Sequence, residues 1–353
     1  MPKTLSRIFA VVLLLGLGLY LMLRIFLVPE VSHGKNYRVA QFSHVFIIVM
    51  ENHGTQSLIH NPNTPYIDRL MTHYGLDTQY DGITHPSLPN YLGLISGSTQ
   101  GQLTDNPKTT FRGPTLVTQL RSHHKTWQAV MQSIPSPGYS GAWYPDATAS
   151  QSILAPPNAL YAKKHDPFQF FDSISHQSLI RHTRNLRAFE TELKQGKVPN
   201  LIFITPNLCH DMHGQPNQAG ASCPTSQGTQ LEQMGNKFLA TWVPRIQNSS
   251  SWSGNAVIFI LWDEANFPTN LAGVAGYLRG APGTPRILGI PLGGGSVPLI
   301  VIDRQIPRPQ RVNIVCNHYC VLKTIQSSWR LGYLGATQNP AVKTLVPLVP
   351  AAP

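Results

Sequence analysis

Residues 255–264 read Asn-Ala-Val-Ile-Phe-Ile-Leu-Trp-Asp-Glu. An unbroken apolar run rich in β-branched and aromatic residues fits a strand buried on both faces. It stops at Asp263-Glu264, two adjacent carboxylates that repel each other unless a cation or hydrogen-bond donors lie between them. The same pattern recurs at residues 44–50, His-Val-Phe-Ile-Ile-Val-Met, which end in Glu51-Asn52-His53-Gly54. It recurs again at Leu201–Ile204, followed by Thr205-Pro206-Asn207, and at Val297–Ile302. Helical patterns lie between these runs, at residues 64–74 with Pro65 in the first turn, and at 89–96, 116–123, 230–247 and 317–329. Buried strands alternating with helices predict a three-layer α/β/α sandwich around a mostly parallel central sheet. Ligands of such sheets bind beyond the carboxyl ends of the strands, where Glu51-Asn52, residues 207–213 and Asp263-Glu264 fall.

The rest of the composition narrows the class. The chain has 353 residues, enough for one large domain, and only 12% are charged against 42% hydrophobic. Few charges exclude a disordered polyelectrolyte, and there is no fixed repeat. The net charge is +11, but its Lys and Arg residues are scattered, so no nucleic-acid partner is expected. Scarce acids make paired carboxylates at strand ends stand out.

Residues 1–28 carry Lys3 and Arg7 ahead of an apolar run from Ile8 to Leu23, then Arg24 and Ile25–Val28. This predicts an uncleaved signal-anchor, with a cleaved signal peptide as the alternative. The expected organisation is anchor 1–28, linker 29–43, catalytic domain 44–340 and C-terminal tail 341–353. The catalytic part would be exported, membrane-anchored if the segment stays and secreted if it is cut. Export would let Cys209, Cys223, Cys316 and Cys320 pair. Sequence allows three pairings; local closure, Cys209–Cys223 and Cys316–Cys320, is the expectation, with zinc ligation or free thiols as alternatives.

Other residues carry chemistry. Asn207-Leu-Cys-His210-Asp211-Met-His213 gathers two imidazoles and a carboxylate after a strand. The oxygen ligands offered by Glu51-Asn52 and Asp263-Glu264 suit a hard or borderline divalent ion such as Mg, Mn, Ca or Zn. His318, between Asn317 and Tyr319, opens the last helix. Ser87 lies in Thr84-His85-Pro86-Ser87-Leu88-Pro89-Asn90-Tyr91. A serine before a helix serves either as an N-cap or as a hydroxyl poised where the helix attracts an anion. Thr84 is the alternative hydroxyl. No Gly-x-Ser-x-Gly elbow or Walker loop is present, which disfavours a lipase triad and a nucleotide kinase.

These strings, in this order from residue 44 to 332, resemble the bacterial phosphoesterase family of acid phosphatases and phospholipases C, within the alkaline phosphatase-like superfamily. The resemblance implies that fold and a metal-dependent phosphomonoesterase acting through a phosphoserine at Ser87. It implies metal ligation by Glu51, Asn52, Asp263, Glu264 and Asp211, with one or two ions. It implies catalytic parts for His210 and His318, and phosphate or substrate contacts for Asn90, Asn207, His213 and His85. The expected partner is a phosphate-ester substrate. A phospholipase C or phosphatidylinositide phosphatase is the alternative enzyme, and an anchored non-catalytic binding module the alternative class. A sulfatase is disfavoured by the absence of Cys/Ser-x-Pro-x-Arg at the nucleophile. The chain departs from the family at Gly235-Asn236, where many relatives carry Gly-Asp, at Cys320, and in an unmapped stretch around 265–295.

Overall fold

The computed structural model describes residues 38–145, 152–267, 277–278, 280–306 and 309–352. The expected anchor, residues 1–28, lies outside the described residues, as does most of the expected linker. Among the described residues no helix is long and apolar enough to cross a membrane.

Eight strands form the main sheet: β1 (Val45–Met50), β2 (Gly75–Asp77), β3 (Trp127–Met131), β4 (Thr183–Arg184), β5 (Leu201–Thr205), β6 (Val257–Trp262), β7 (Leu299–Asp303) and β8 (Arg311–Val312). Their order is β8-β2-β7-β6-β1-β5-β3-β4. β1 pairs in parallel with β5 on one side and β6 on the other. Only β7 runs against its neighbours, antiparallel to both β6 and β2. Every residue of β1 is fully buried, which is why its sequence does not alternate.

The helices that cover the sheet are α1 (Pro65–His73), α2 (Ser87–Ser96), α3 (Leu116–Ser122), α4 (His176–His182), α5 (Leu186–Lys194), α6 (Gly228–Gln247) and α7 (His318–Ser328). α1 packs on α6, and α2 packs on α7 and α3. The two groups cover opposite faces. Tyr91 of α2 meets Phe203, which is in register with Ile47, whereas Met50, three positions along, lies against Gly235 of α6. A Cβ at Gly235 would stand 2.5 Å from Met212 Cε, so only glycine lets the loop after β5 sit this close to α6. The predicted sandwich is the observed one.

Two expected boundaries differ in the structure. Residues 341–352 are no tail: Val342, Leu345, Leu348 and Val349 are buried in the core, and Ala351 bridges to Val39. Residues 38–43 are not free linker either, because Val39 and Phe42 join that core and the Trp329 indole donates to the Phe42 carbonyl. Asn236 Oδ1 accepts the amides of Tyr66 and Ile67 (2.8 and 3.1 Å), so the Gly-Asn departure is a brace on the start of α1. Both cysteine pairs close locally, Cys209–Cys223 and Cys316–Cys320, with Cα separations of 5.5 and 5.9 Å.

Candidate active site

Three neighbouring strands deliver carboxylates to one place. Glu51 follows β1, Asp263 and Glu264 follow β6, and Asp211 lies on the loop after β5. Backbone bonds lock the three strand ends together: Glu51 donates to the Asp211 carbonyl (2.8 Å) and Asp263 to the Met50 carbonyl (2.9 Å). Asp263 Oδ1 accepts the amides of Asn52 (3.1 Å) and Glu264 (2.7 Å). Asn52 itself sits at φ 52°, a left-handed corner that asparagine tolerates.

Ser87 is the first residue of α2, not its cap; Pro86 holds the cap position. Its hydroxyl is therefore not spent on the helix backbone. It donates to Glu51 Oε2 (3.1 Å), and Lys164 Nζ stands 3.4 Å away. Lys164 also bonds Asp105 Oδ2 (2.9 Å) and His213 Nε2 (3.0 Å). His213 Nδ1 faces the Gly214 carbonyl (2.7 Å), so Nδ1 carries the proton and Nε2 accepts from the lysine. Asp105 completes a loop of contacts: its Oδ1 accepts the Leu88 amide (2.9 Å) and thus holds the first turn of α2.

His165, buried beneath, stacks on Tyr91 (centroids 5.1 Å, 9°). Its Nε2 is 2.9 Å from Glu51 Oε1 and its Nδ1 is 3.2 Å from Asp211 Oδ2. These are ion-pair distances without hydrogen-bond alignment. Glu51 Oε1, Asp211 Oδ2, Asp263 Oδ2 and His165 Nε2 are all buried and lack a hydrogen-bond partner. Glu51, His165 and His213 each offer a donor atom within 4.8 Å of the others, a spacing that a metal ion could bridge.

Burial is the dominant electrostatic influence. It pushes the carboxyls of Glu51 and Asp211 up to about 7, against the opposing effects of Lys164 and His165 respectively. It raises Asp263 and Glu264 well above the usual range, with neighbouring carboxylates adding to the effect. Lys164 behaves oppositely. Burial alone would lower its pKa, but Asp105, Glu51 and Glu264 together raise it, so it stays charged. Burial pushes Asp105 up, but Lys164, the Leu88 amide and His165 together draw it below its ordinary value.

The sequence-predicted residues divide accordingly. Glu51, Ser87, Asp211, His213, Asp263 and Glu264 come together, and His85 joins them with Nδ1 3.0 Å from Glu264 Oε2. Asn52 contributes its backbone amide to Asp263. His318 is corrected from a catalytic to a bracing part. It is fully buried, Nδ1 takes the Tyr80 hydroxyl (2.8 Å), and Nε2 donates to the Asp263 carbonyl (2.7 Å), which leaves no nitrogen for a substrate. Burial lowers its pKa to about 4, so it is neutral. His210 Nδ1 bonds Gln132 (2.7 Å) and the ring lies by Phe238 of α6. The Asn90 side chain is saturated by Ile83, Thr84, Pro86 and Glu264 and shapes its loop, whereas the Asn207 side chain bonds Ser133 and the His210 amide.

Lys164, His165 and Asp105 escaped the sequence reading. The one available signal was Lys163-Lys164-His165-Asp166, four ionisable residues in a row within a charge-poor chain.

A family model described as the Phosphoesterase family matches residues 56–332, starting just after Glu51. An acid phosphatase of Aspergillus fumigatus is 24% identical over 303 residues, 85% of this chain; the chain spans only 58% of that relative's length. A phosphatidylinositol-3-phosphatase of Mycobacterium tuberculosis is 25% identical over 317 residues, 88% of this chain and 85% of its own. Among solved structures, a protein of the alkaline phosphatase superfamily from Vibrio parahaemolyticus shares the fold with a TM-score of 0.53 at 12% identity, covering 86% of this chain and 72% of its own.

Proposed function

Given that the chain belongs to the Phosphoesterase family, we propose that it is a metal-dependent phosphoric-monoester hydrolase of the acid-phosphatase type, working through a phosphoserine at Ser87. The observation that carries this is the Ser87 hydroxyl. It is uncommitted to the helix and lies between Glu51 Oε2 and the Lys164 ammonium, at the positive end of a ten-residue helix.

The residues present fit a divalent cation. Four buried carboxyls have raised pKa values, three of them have an oxygen without a hydrogen-bond partner, and Lys164 alone cannot balance them. Glu51, Asp211, Asp263 and Glu264, with His165, are the residues that would hold it, and His213 would join them only where its Nε2 gives up Lys164. When bound, such an ion neutralises phosphoryl oxygens and makes a hydroxyl more acidic.

The chain's own residues account for the remainder. Glu51 Oε2 is the atom placed to receive the Ser87 proton as Oγ bonds to phosphorus. The ester P–O bond breaks with its electron pair on the departing oxygen, which takes a proton from solvent water. Lys164 holds the non-bridging oxygens by charge, and Asp105 fixes Lys164 to the nucleophile's helix. Water then cleaves the phosphoserine, releasing phosphate and restoring the hydroxyl. Ser87→Ala should abolish phosphate release from a soluble monoester while the circular dichroism spectrum stays that of the wild type; turnover in that variant would remove Ser87 from the role.

A second reading, a phosphatase of membrane phosphoinositides, draws on one feature. The hairpin at residues 286–291 exposes Ile287 (56%), Leu288 (97%) and Ile290 (52%), an apolar tip suited to a lipid surface. Leu288→Asp should then slow turnover of vesicle-borne phosphoinositide and spare a soluble monoester. Equal rates on vesicles would end this reading. The two disulfides fit an oxidising, extracytoplasmic compartment, and residues 1–28 would supply the anchor.

A further inference from the structure

Three rings gather beside Glu264. His85 stacks on Phe267 (centroids 4.3 Å, 26°) and on Tyr277 (5.0 Å, 17°), while Phe267 and Tyr277 lie nearly parallel at 6.2 Å. The inner member lies against the site without an aligned hydrogen bond, for neither His85 ring nitrogen has a hydrogen-bond partner among the described residues. His85 precedes Ser87 by two residues, its Nδ1 is 3.0 Å from Glu264 Oε2, and its side chain is only 11% exposed. Tyr277 clamps the segment that carries Phe267: its hydroxyl donates to the Ala265 carbonyl (3.0 Å) and touches that of Asn266. The segment is fixed again where the Ala265 amide donates to the Gly294 carbonyl (2.7 Å). Gly294 itself lies so close to Gly82 that a Cβ there would stand 2.9 Å from the Gly82 Cα.

The outer member behaves differently. Phe267 is 72% exposed although it is stacked on a mostly buried histidine. A lone exposed apolar residue is ordinary. A ring stacked beside a candidate catalytic carboxylate, with no second ring among the described residues on its other side, is a prepared surface for a flat ligand. Its stacking on His85 and the bonds on the preceding Ala265 and Asn266 lower the ordering that a ligand must supply.

We propose that Phe267 is a specificity-determining residue: it stacks a flat apolar leaving group, so the chain prefers aryl phosphomonoesters, or esters bearing a planar ring close to the scissile oxygen, over small alkyl ones. This rests on the phosphomonoesterase reading of the Ser87 site. The stack acts on the part of the substrate that departs. It therefore affects ester binding and formation of the phosphoserine, and not the hydrolysis of a phosphoserine common to all substrates.

The test uses the full chain with two pairs of compounds. Binding of phenylphosphonate and methylphosphonate is measured by calorimetry, and turnover of phenyl phosphate and ethyl phosphate by phosphate release. In Phe267→Ala the phenyl-to-alkyl ratio should fall about three- to tenfold, in affinity and in kcat/KM alike, the size of one aromatic stack. Phe267→Trp should restore or exceed the original ratio. An unchanged ratio in Phe267→Ala, or equal losses for both members of each pair, overturns the assignment while leaving the phosphatase reading intact. Failure of the unaltered chain to bind either phosphonate and to hydrolyse either ester overturns both.

Discussion

The acidic half of the candidate site and the half that carries Lys164 touch, with His165 Nε2 2.9 Å from Glu51 Oε1, yet the chain builds them differently. Glu51, Asp263 and Asp211 stand at or just beyond the ends of three adjacent central strands, and backbone bonds between those ends fix their spacing. Lys164 and His165 ride on a single 3₁₀ turn, Lys163–His165, at the close of a loop-rich stretch. That turn is held in place by side chains: Asp105 grips Lys164, and Tyr91 supports His165. The sheet thus supplies a rigid concentration of negative charge, while the loops supply the positive charge that makes it tolerable and turns it toward an anionic substrate.

If this division is right, variants in the two halves should fail in different ways. The largest effect belongs to the junction: Ser87→Ala should reduce phosphate release to background. Next comes the acidic half. Asp263→Asn should lower activity and divalent-ion affinity together, measured by turnover and by metal titration of the chelator-treated chain; full activity in chelator would break the comparison at this point. In the other half, Lys164→Met should cost about 10²–10³ in kcat/KM, comparable with removal of one donor to a developing anion, without loss of bound metal. Asp105→Asn should follow in the same direction by roughly tenfold, since Lys164 keeps its charge from Glu51 and Glu264 but loses its alignment.

The smallest effect is on stability, and its sign follows from burial. Carboxyls raised to about 7 bind protons more tightly in the folded chain than in the unfolded one. Without a divalent ion, the chain should be most stable at mildly acid pH and lose stability as pH rises from about 4 toward about 7. Adding the ion should flatten that slope, because a bound cation takes the place of the protons. Thermal unfolding at pH 5 and pH 7.5, with chelator and with Mg or Mn, reads this out. A chelated chain that is more stable at the higher pH would contradict it.

The same contrast explains what could be read from the sequence. β1, β5 and β6 were legible because strands buried on both faces are written as continuous apolar runs, and a carboxylate at the end of such a run is conspicuous. β3 was not, since Trp-Gln-Ala-Val-Met breaks the run with Gln128, which is buried because it donates to Glu192 Oε2 (2.8 Å). The reversed direction of β7 leaves no mark in Leu-Ile-Val-Ile-Asp, because direction is set by the connections and not by the strand. Lys164 and His165 occupy a three-residue turn with no periodicity to detect, and their partners are remote in sequence, Asp105 by 59 positions. Histidine identity was legible but histidine role was not. His318 and His213 look alike in the chain, and only the Tyr80 hydroxyl and Asp263 carbonyl make the first a brace.

The central claim is that Ser87 carries the phosphoryl group during turnover. Acid quenching of the full chain during steady hydrolysis of a monoester, followed by peptide mass spectrometry, tests it directly. The account requires one added phosphoryl group on the peptide containing Ser87, absent without substrate and absent in Ser87→Ala. Rapid phosphate release with Ser87 never modified, or with the group found on another residue, would contradict it.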